Sequence, residues 1–392
     1  MLYKHELTNL YFVSLLHKAA KTAQILFMAM MAFKYRLLPN VTQTISLNKT
    51  MGAVRFFWNK QVEAFKSYDK ENNNFIKYKT STEIRNENVW MREVSAAAIQ
   101  QKEIDFKQYK TQRFSKGRKK IVNDPLFKKS NSRQSFRLPN QKFAIIKNKI
   151  RLEKIGHVRI VVDRKISNGC KIMNATVSKD SCGKYFVSIL VDTKIENFEK
   201  TGKTVGVDVG IKELATLSDG TVIKNPMWFR NSQAKLKKLQ RRLSKKVKGS
   251  SRYNKCKLRI SMLHKKIGNQ RSWYLHNLTT SVVRNFDTIS IEDLDVDGMK
   301  KNKNISKSIT DAAFPKLFSM LDYKCDWYGK TLVKIPRFFP SSKTCSSCGN
   351  VKKELKLRDR TYVCSVCGHK ECRDLNASKN INAIGVKIAE RA

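Results

Sequence analysis

Four cysteines near the carboxyl end constrain the fold of this chain more than any other feature. They form two Cys-x2-Cys pairs, Cys345 with Cys348 and Cys364 with Cys367, and a glycine follows each pair directly. Two such pairs can close a tetrahedral cage of thiolates around zinc, and glycine permits the backbone turn behind the sulfurs. Four unligated thiols with chance spacing are the alternative, and we favour zinc. A closed cage predicts a structural rather than a catalytic ion.

The other cysteines do not alter this interpretation. Cys372 and His369 lie near the cage in sequence, but four ligands are already supplied, so we expect both to stay outside it. The nine cysteines of the chain are odd in number and unevenly spaced, which is not typical of a secreted disulfide framework. The sequence therefore predicts a cytoplasmic protein.

The charge of the chain indicates what it binds. Lysine and arginine number 79 against 32 acids, a formal net charge of +47, while 41% of the residues are hydrophobic. That apolar fraction is enough for ordinary cores, so the chain is not a disordered basic tail. A folded protein this basic repels itself unless a polyanion screens it, and nucleic acid is the first such partner to expect.

The amino-terminal 30 residues have two interpretations. Leu10–Phe33 is rather apolar, but ionisable side chains at positions 17, 18 and 21 interrupt it, so we expect no membrane span. No polar cleavage region follows the apolar stretch, which argues against a signal peptide. Residues 1–30 are either a short helical extension or the result of a start codon upstream of a true start near Met31.

Hydrophobic periodicity predicts strands and helices along the rest of the chain. A strand at Ala32–Leu38 precedes two helices over 42–70, joined near Gly52, and a further helix over 82–109. Five short strands then favour a small β-barrel, completed by the first strand. The five are Ala144–Ile146, Lys149–Leu152, His157–Val162, Lys171–Val177 and Tyr185–Val191.

A third region begins near Lys203 and mixes strands with long helices. Its predicted strands are Thr204–Val209, Glu213–Leu217, Thr221–Ile223, Thr288–Ile291 and Thr331–Ile335. Its predicted helices are Lys235–Lys248, Arg252–Phe286 and Ile309–Tyr328.

Residues 101–150 form a first candidate surface for nucleic acid, with 15 basic and 3 acidic side chains. Phe106, Tyr109 and Phe114 alternate there with cations, a pattern that suits base stacking combined with phosphate contact. A solvated basic loop is the alternative. The candidate binding residues are Lys107, Lys110, Arg113, Phe114, Lys119 and Lys120.

The helix predicted at Lys235–Lys248 is a second candidate surface, because it carries eight basic residues and no acid. A helix without acids forms no ion pairs along its own face. We therefore favour a nucleic-acid groove over a merely solvated outer face. The candidate residues are Lys235, Lys238, Arg241, Arg242 and Lys245.

Three carboxylates stand out in so basic a chain. Asp208 lies in the middle of an apolar strand, Glu292 ends another strand, and Asp374 opens the last helix. A buried charge is costly unless it is paired or binds metal, and acids at these positions can meet at one edge of a sheet. They would hold two Mg²⁺ ions about 3.5–4 Å apart. Taken singly, each acid has another interpretation: a buried structural acid, a surface strand end and a helix cap.

Several segments together resemble the TnpB family, the RNA-guided nucleases that bacterial insertion sequences encode, which are related to compact type V CRISPR effectors. They occur in the order found in the family and span residues 31–390. The segments are Ala32–Asn40, Thr50–Asn59, Val94–Gln101, Ala175–Val187, Val205–Gly220, Ile291–Leu294, Phe339–Gly349 and Arg373–Ile381.

The resemblance implies a multidomain α+β protein with an N-terminal β-barrel that carries a helical insert. A RuvC-like, RNase H-type α/β nuclease domain with an inserted zinc ribbon would follow. The implied bounds are 1–30 for the extension, 31–41 and 132–200 for the barrel, 42–131 for the recognition insert, 203–392 for the nuclease domain and 340–370 for the ribbon.

The resemblance also implies a function. Asp208, Glu292 and Asp374 match the family's three motif acids, and the zinc ribbon lies between the second and third. A monomer would bind a guide RNA from the end of the element and cut double-stranded target DNA beside a short flanking motif, in the bacterial cytoplasm on the nucleoid. Pairing would read the sequence while the protein holds the heteroduplex by shape and phosphate.

One departure from the family leaves alternatives open. Cys372 occupies a position where family members often have a second acid, which predicts weaker cleavage if that acid supports the metal. A guided DNA-binding protein or repressor that no longer cuts is therefore the second hypothesis. A transposase that cuts and joins its own element ends is the third, and we rank it last because the zinc ribbon splits the acids.

Overall fold

The computed structural model describes residues 28–67, 78–115, 122–131, 133–167, 169–356 and 358–391. They divide into two units, with the boundary between Lys194 and Ile195. Residues 1–27, together with Lys119 and Lys120 of the first candidate surface, lie outside the described residues. Within the described ranges, no helix combines the length and apolar character that crossing a membrane requires.

The first unit contains a seven-stranded antiparallel sheet. Its strands are β1 (Met28–Leu38), β2 (Gln134–Pro139), β3 (Phe143–Ile146), β4 (Lys149–Leu152), β5 (Gly156–Val161), β6 (Lys171–Lys179) and β7 (Tyr185–Lys194). They are ordered β2-β6-β7-β1-β5-β4-β3. The edge strands β2 and β3 are joined by only three residues, which span about 10 Å at most. The two edges therefore lie close together, and the predicted barrel is a nearly closed sheet.

Helices interrupt the sheet between β1 and β2. They are α1 (Val41–Lys66), α2 (Ser81–Glu87) and α3 (Ala96–Phe114). The predicted division near Gly52 is wrong, because α1 runs through this glycine without a break. The single helix predicted over 82–109 is also wrong. The Asn88 side chain bonds the Ile84 carbonyl oxygen to end α2, and Ser95 caps α3, so a short 3-10 turn separates them.

The helices and the sheet of this unit share one apolar core. Leu47, Phe57 and Ile99 from the helices are fully buried in the same cluster as Val187 and Ile189 from the sheet. Alternate residues along β7 are buried, as expected for strands with one face on a core.

The second unit is built on a five-stranded sheet. Its strands are β8 (Thr204–Val209), β9 (Glu213–Leu217), β10 (Val222–Lys224), β11 (Thr288–Glu292) and β12 (Thr331–Ile335), in the order β10-β9-β8-β11-β12. Strands β8, β11 and β12 are parallel to one another, and β9 and β10 are antiparallel. A separate two-stranded ladder joins β13 (Thr361–Val363) to β14 (Lys370–Cys372).

Six helices accompany this sheet in the described ranges. They are α4 (Trp228–Ser244), α5 (Ser251–Asn285), α6 (Val296–Lys301), α7 (Ser306–Ala312), α8 (Phe314–Tyr328) and α9 (Arg373–Arg391). The single helix predicted at Ile309–Tyr328 is wrong, because Ala313 takes a left-handed conformation (φ 57°) and separates α7 from α8. Val205, Val207, Ile289 and Ile291 point to one face of the sheet, where they share a core with α5 and α8.

Helix α9 packs against the opposite face of the sheet through two glycines. A Cβ placed on Gly206 of β8 would overlap the backbone of Ser378 and Asn382 in α9. A Cβ placed on Gly385 of α9 would overlap the Ser290 side chain of β11. Because both strands meet the helix at close range, side chains of β8 and β11 on this face lie directly beside α9.

The position of α9 along β8 determines which residues of the helix lie beside which residues of the strand. Asn382 bonds Thr204 (Nδ2 to Oγ1, 3.1 Å), and Gly206 faces Ser378 and Asn382, so helix and strand run in opposite directions. Two residues of a strand advance about 6.6 Å, and four residues of a helix about 6 Å. The next step from Gly206 brings Asp208 beside the first turn of α9, where Asp374 lies.

We expect Gly206→Ala to destabilise the protein by about 1–3 kcal/mol, because the added methyl group meets fixed helix backbone. Gly268→Ala is the matched control. Gly268 lies inside α5 with nothing within 4 Å of an added Cβ, so alanine there should stabilise the helix by about 0.5–1 kcal/mol. Denaturant unfolding of the two variants measures both changes, and equal effects would contradict the close packing of α9.

Candidate metal centres and nucleic-acid surfaces

The four cysteines form a compact cluster in the structure. All four Sγ atoms lie within 4.8 Å of one another, with 3.7 Å between Cys345 and Cys367 and 3.6 Å between Cys348 and Cys364. Tetrahedral zinc with bonds of about 2.3 Å places its sulfur ligands about 3.8 Å apart. The cluster could therefore hold a zinc ion. Cys372 is exposed on β14 and, like His369, is not part of it.

The backbone builds the two halves of the cluster in the same way. Gly349 N–H donates to the Cys345 carbonyl oxygen, and Gly368 N–H donates to the Cys364 carbonyl oxygen. Both glycines have positive φ, 76° and 70°, a conformation that side chains rarely adopt. The role predicted for the glycines behind the sulfurs therefore agrees with the structure.

Thiolate is the form of cysteine that binds metal, and two thiols of the cluster differ in how readily they form it. The Asn350 backbone favours the Cys348 thiolate, but the hydrogen bond with Cys367, burial, and the hydrogen bonds with Cys364 and Cys345 raise the pKa of Cys348 to about 12. Backbone N–H groups of Cys367 and Val366 lower the pKa of Cys364 to about 6. Burial and the charges of the neighbouring cysteines raise the pKa of Tyr362 to about 12, and its hydroxyl donates to the Lys343 carbonyl oxygen. A divalent cation would balance the negative charge that four thiolates concentrate here.

We expect the purified protein to carry one zinc ion per chain and Cys364→Ser to lose it, because serine supplies no thiolate. Cys372→Ser, which changes an exposed cysteine outside the cluster, should retain the zinc. Elemental analysis of the two variants and the wild type measures this directly. Retention of zinc by Cys364→Ser would contradict the assignment.

The three predicted acids come together at the carboxyl end of the parallel strands. Asp208 lies on β8 and Glu292 ends β11, and their preceding residues Val207 and Ile291 pair in register. Asp208 and Glu292 point to the face that carries α9, since Val207 and Ile291 point to the core. Asp374 lies in the first turn of α9, beside Asp208.

The electrostatics of Asp208 show that the three charges interact. Burial raises the pKa of Asp208 first, then the carboxylates of Glu292 and Asp374 raise it further, to about 8, against a smaller opposing effect of Arg373. An acid that is difficult to ionise without a cation is the condition expected of a metal ligand.

Asp287 of the same unit shows the contrast with a structural acid. Burial opposes its ionisation, but the Lys330 ammonium group and the backbone N–H groups of Thr201 and Gly202 lower its pKa to about 2. Among the described residues, no cationic side chain lies within 4 Å of Asp208, and the more distant Arg373 only partly offsets burial and the neighbouring carboxylates. The interpretation of Asp208 as a paired structural acid is therefore not supported.

The acids are not gathered as tightly as the cysteines. Among the described residues, only the cysteine cluster brings three or more possible ligand atoms within 4.8 Å of one another. Three carboxylates that repel one another are expected to spread in the absence of a cation. A pair of ions about 3.5–4 Å apart also does not require every ligand atom to meet at one point. The all-oxygen donor set fits Mg²⁺.

Asp208→Asn should remove a pH dependence of stability. The folded protein retains the Asp208 proton to about pH 8, whereas an unfolded aspartate releases it near pH 4, so the stability without Mg²⁺ falls as the pH rises between these values. Asparagine does not ionise. We therefore expect the unfolding midpoint of Asp208→Asn to exceed that of wild type by several degrees at pH 8 and much less at pH 5.

Thermal unfolding in buffers without Mg²⁺ tests this prediction. The buffers also contain no chelator, because a chelator would remove zinc. Asp322→Asn, an exposed carboxylate of α8, is the control and should follow the wild type at every pH. A difference between Asp208→Asn and wild type that does not change with pH would contradict the raised pKa.

Three residues that the sequence did not single out connect the two centres. Asn376 and Asn380 lie buried in α9, and their side-chain amides donate to the Thr344 carbonyl oxygen just before the first ligand cysteine. Ser341 donates a hydrogen bond to Glu292. Asparagine has a low helix propensity, so two asparagines four residues apart inside a helix suggest that their side chains make specific contacts. This was the signal in the sequence that could have identified them.

Helix α4 and Lys245, which follows it directly, carry the five candidate residues on an open basic surface. Among the described residues, none of these side chains has an acidic partner within 4 Å: Lys235, Lys238, Arg241, Arg242 and Lys245. The segment from Trp228 to Phe286, which includes α4, α5 and the turn between them, contains 17 basic residues and no acid. Asp311 anchors the start of α4 by accepting from the Phe229 and Arg230 backbone N–H groups.

The surface predicted within residues 101–150 differs from expectation. The alternation of aromatics with cations is not a stacking face, because Phe106 is 2% exposed in the core and the Tyr109 hydroxyl donates to the Asn123 carbonyl oxygen. Phe114 is 52% exposed.

The cations of this helix are also partly engaged. Lys107 pairs with Glu103, Arg113 lies 3.3 Å from Asp124, and Lys110 lies 3.8 Å above the Tyr78 ring. Such contacts reduce the charge available to a phosphate, so α4 presents the more open basic surface.

Models of known protein families match three parts of this chain. A family model described as "Probable transposase" matches residues 186–303, which include Asp208 and Glu292. A Cas12f1-like TNB domain model matches 314–381, which include the cysteine cluster and Asp374. A helix-turn-helix model matches 28–73, where the described residues form β1 and α1.

Two bacterial relatives align over most of the chain. A Streptomyces pristinaespiralis protein is 36% identical and covers 91% of this chain and 89% of its own length. InsQ of Escherichia coli is 32% identical and covers 90% and 92%. Both carry the name "Putative RNA-guided DNA endonuclease".

A solved structure shares the fold. The Cas12f1–sgRNA–target DNA complex matches with a TM-score of 0.54 at 14% identity, over 86% of this chain and 82% of that one. The two units and the cysteine cluster thus define a Cas12f-like α/β protein. With the relatives above, they show that the chain belongs to the TnpB family.

Proposed function

We propose that this protein is an RNA-guided DNA endonuclease that hydrolyses phosphodiester bonds at the Asp208, Glu292 and Asp374 site with Mg²⁺. The names of the relatives support the general activity. The metal dependence is supported by one observation above all: burial and two neighbouring carboxylates raise the pKa of Asp208, and no cationic side chain of the described residues lies within 4 Å of it. The topology around it, three parallel strands with α9 across them, suits a RuvC-like nuclease domain.

The three carboxylates would hold the metal, and the elements that carry them would fix their orientation. Bound Mg²⁺ would activate the attacking water and stabilise the leaving 3′ oxygen. Asp208 interacts with both of the other acids, Glu292 is held at the end of its strand, and Asp374 is carried by the helix packed through Gly206. The strands of Asp208 and Glu292 and the packed helix of Asp374 limit the freedom of all three, as hydrolysis at one phosphate requires.

The basic surface of α4 would bind phosphate. A positively charged surface attracts nucleic acid regardless of sequence, and its cations release counterions as they bind. Sequence specificity would come from the paired guide RNA, in agreement with the complex that shares this fold. The partners we propose are a guide RNA transcribed from the end of the element and double-stranded target DNA beside a short flanking motif.

Cleavage of a guided target tests the proposal. The protein is co-expressed with RNA from the DNA that flanks its gene and is offered a matching plasmid with a randomised flank in Mg²⁺. We expect wild type to cut and Asp208→Ala to cut about a thousandfold more slowly, since metal stabilisation of the transition state is worth several kcal/mol. Both proteins should bind the RNA and the target.

The alternatives give different results. Equal cleavage by wild type and Asp208→Ala would contradict the metal site. Guided binding by wild type without any nicking would favour the inactive repressor, in line with Cys372 in place of the second acid. Joining of element ends by the protein alone would favour the transposase.

Measurement of nucleic-acid binding in the same experiment tests the proposed role of the α4 surface. The double variant Lys238→Gln, Arg242→Gln should bind the RNA and target less tightly and lower the salt dependence of log K by about one per lost phosphate contact. Lys49→Gln with Lys300→Gln is the matched control, because Glu93 and Asp297 already pair with these cations. An equal loss in both double variants would contradict a specific role of α4.

A further inference from the structure

Ser341 lies where the chain leaves β12 and enters the segment of the cysteine cluster. Its side chain is 5% exposed, and its hydroxyl donates to Glu292 Oε1 over 2.5 Å. The two residues are 49 positions apart, so the contact joins separate parts of the second unit. No other hydroxyl donates to a carboxylate of the candidate acid site in the described part of the chain.

The backbone holds Ser341 in this position from both sides. Its N–H donates to the Phe339 carbonyl oxygen over 2.8 Å, and its own carbonyl oxygen accepts from Asn380 Nδ2 of α9 over 2.9 Å. The hydroxyl and N–H of Thr344 both bond the Pro340 carbonyl oxygen, which closes the turn. The Ser341 hydroxyl therefore meets Glu292 from a fixed support.

The hydrogen bond leaves one oxygen of Glu292 for another ligand. Oε1 accepts from Ser341, while Oε2 has no hydrogen-bond partner among the described residues. One oxygen is thus held, and the other is left to bind a cation.

We propose that Ser341 is a positioning residue that holds Glu292 in the orientation needed to bind a divalent cation. This rests on the proposed function, because it presupposes that Glu292 is a metal ligand. Partners that hydrogen-bond to metal-ligating groups fix the orientation of the ligand, and their loss weakens metal affinity about 10–100-fold. Ser341 would act through Glu292 and would not touch the substrate.

Direct measurement of Mn²⁺ binding by electron paramagnetic resonance tests this without a reaction. The wild-type complex with its guide RNA is titrated beside Ser341→Ala, Ser341→Thr, Ser342→Ala and Asp208→Ala. Ser341→Ala should bind Mn²⁺ about 10–100-fold more weakly, and the Mg²⁺ concentration for half-maximal cleavage should rise by a similar factor. Ser341→Thr, which keeps the hydroxyl, should recover most of the affinity.

Ser342→Ala is the matched control, because it removes the neighbouring hydroxyl and should leave Mn²⁺ affinity unchanged. Zinc content and guide RNA binding should be equal in all variants, which separates a loss of orientation from a loss of fold. Wild-type affinity in Ser341→Ala, or an equal loss in Ser341→Thr, would overturn the role of the hydroxyl. Equal Mn²⁺ binding by wild type and Asp208→Ala would instead overturn the proposed metal site itself.

Discussion

The close contact between α9 and the parallel strands is the constraint on which the second unit depends. Gly206 and Gly385 lack side chains where the helix crosses β8 and β11, so the helix lies against the backbone of the sheet. A side chain at either position would separate the two layers by the thickness of a methyl group. The acids of the strands and of the helix would then move apart, and their charges would no longer raise the pKa of Asp208.

The concentration of negative charge at the site of Asp208, Glu292 and Asp374 is unusual for this chain. With a net charge of +47, a cation site needs local protection from the positive field, and three carboxylates at one sheet edge provide it. Asp287, which is paired with Lys330, shows how the same unit treats an acid that only stabilises structure. The two aspartates differ in depth and in partners: Asp208 is the more deeply buried and has carboxylates as neighbours, whereas Asp287 accepts from Lys330. This difference favours a functional role for Asp208.

Periodicity predicted the strands that carry the acids because each is short, apolar and bounded by polar residues. It failed where a local side-chain bond or an unusual backbone angle decides the structure, as at Asn88, Ser95 and Ala313. Alternation in sequence also suggested that Phe106 faces solvent, whereas helical geometry turns it into the core. The cysteine cluster could be predicted from spacing alone, since four ligands in two tight turns leave few geometries.

The contact between Ser341 and Glu292 could not be predicted from any pattern, because it joins residues 49 positions apart. It does, however, give the cysteine cluster a position in the candidate nuclease site. Thr344, next to the first ligand cysteine, accepts hydrogen bonds from Asn376 and Asn380, and Asn380 also binds the Ser341 carbonyl oxygen. A zinc ion that fixes the turn after Thr344 would therefore fix both ends of this network. The structural role of the zinc ion would then extend to the orientation of Glu292, which could not be inferred from a closed thiolate cage alone.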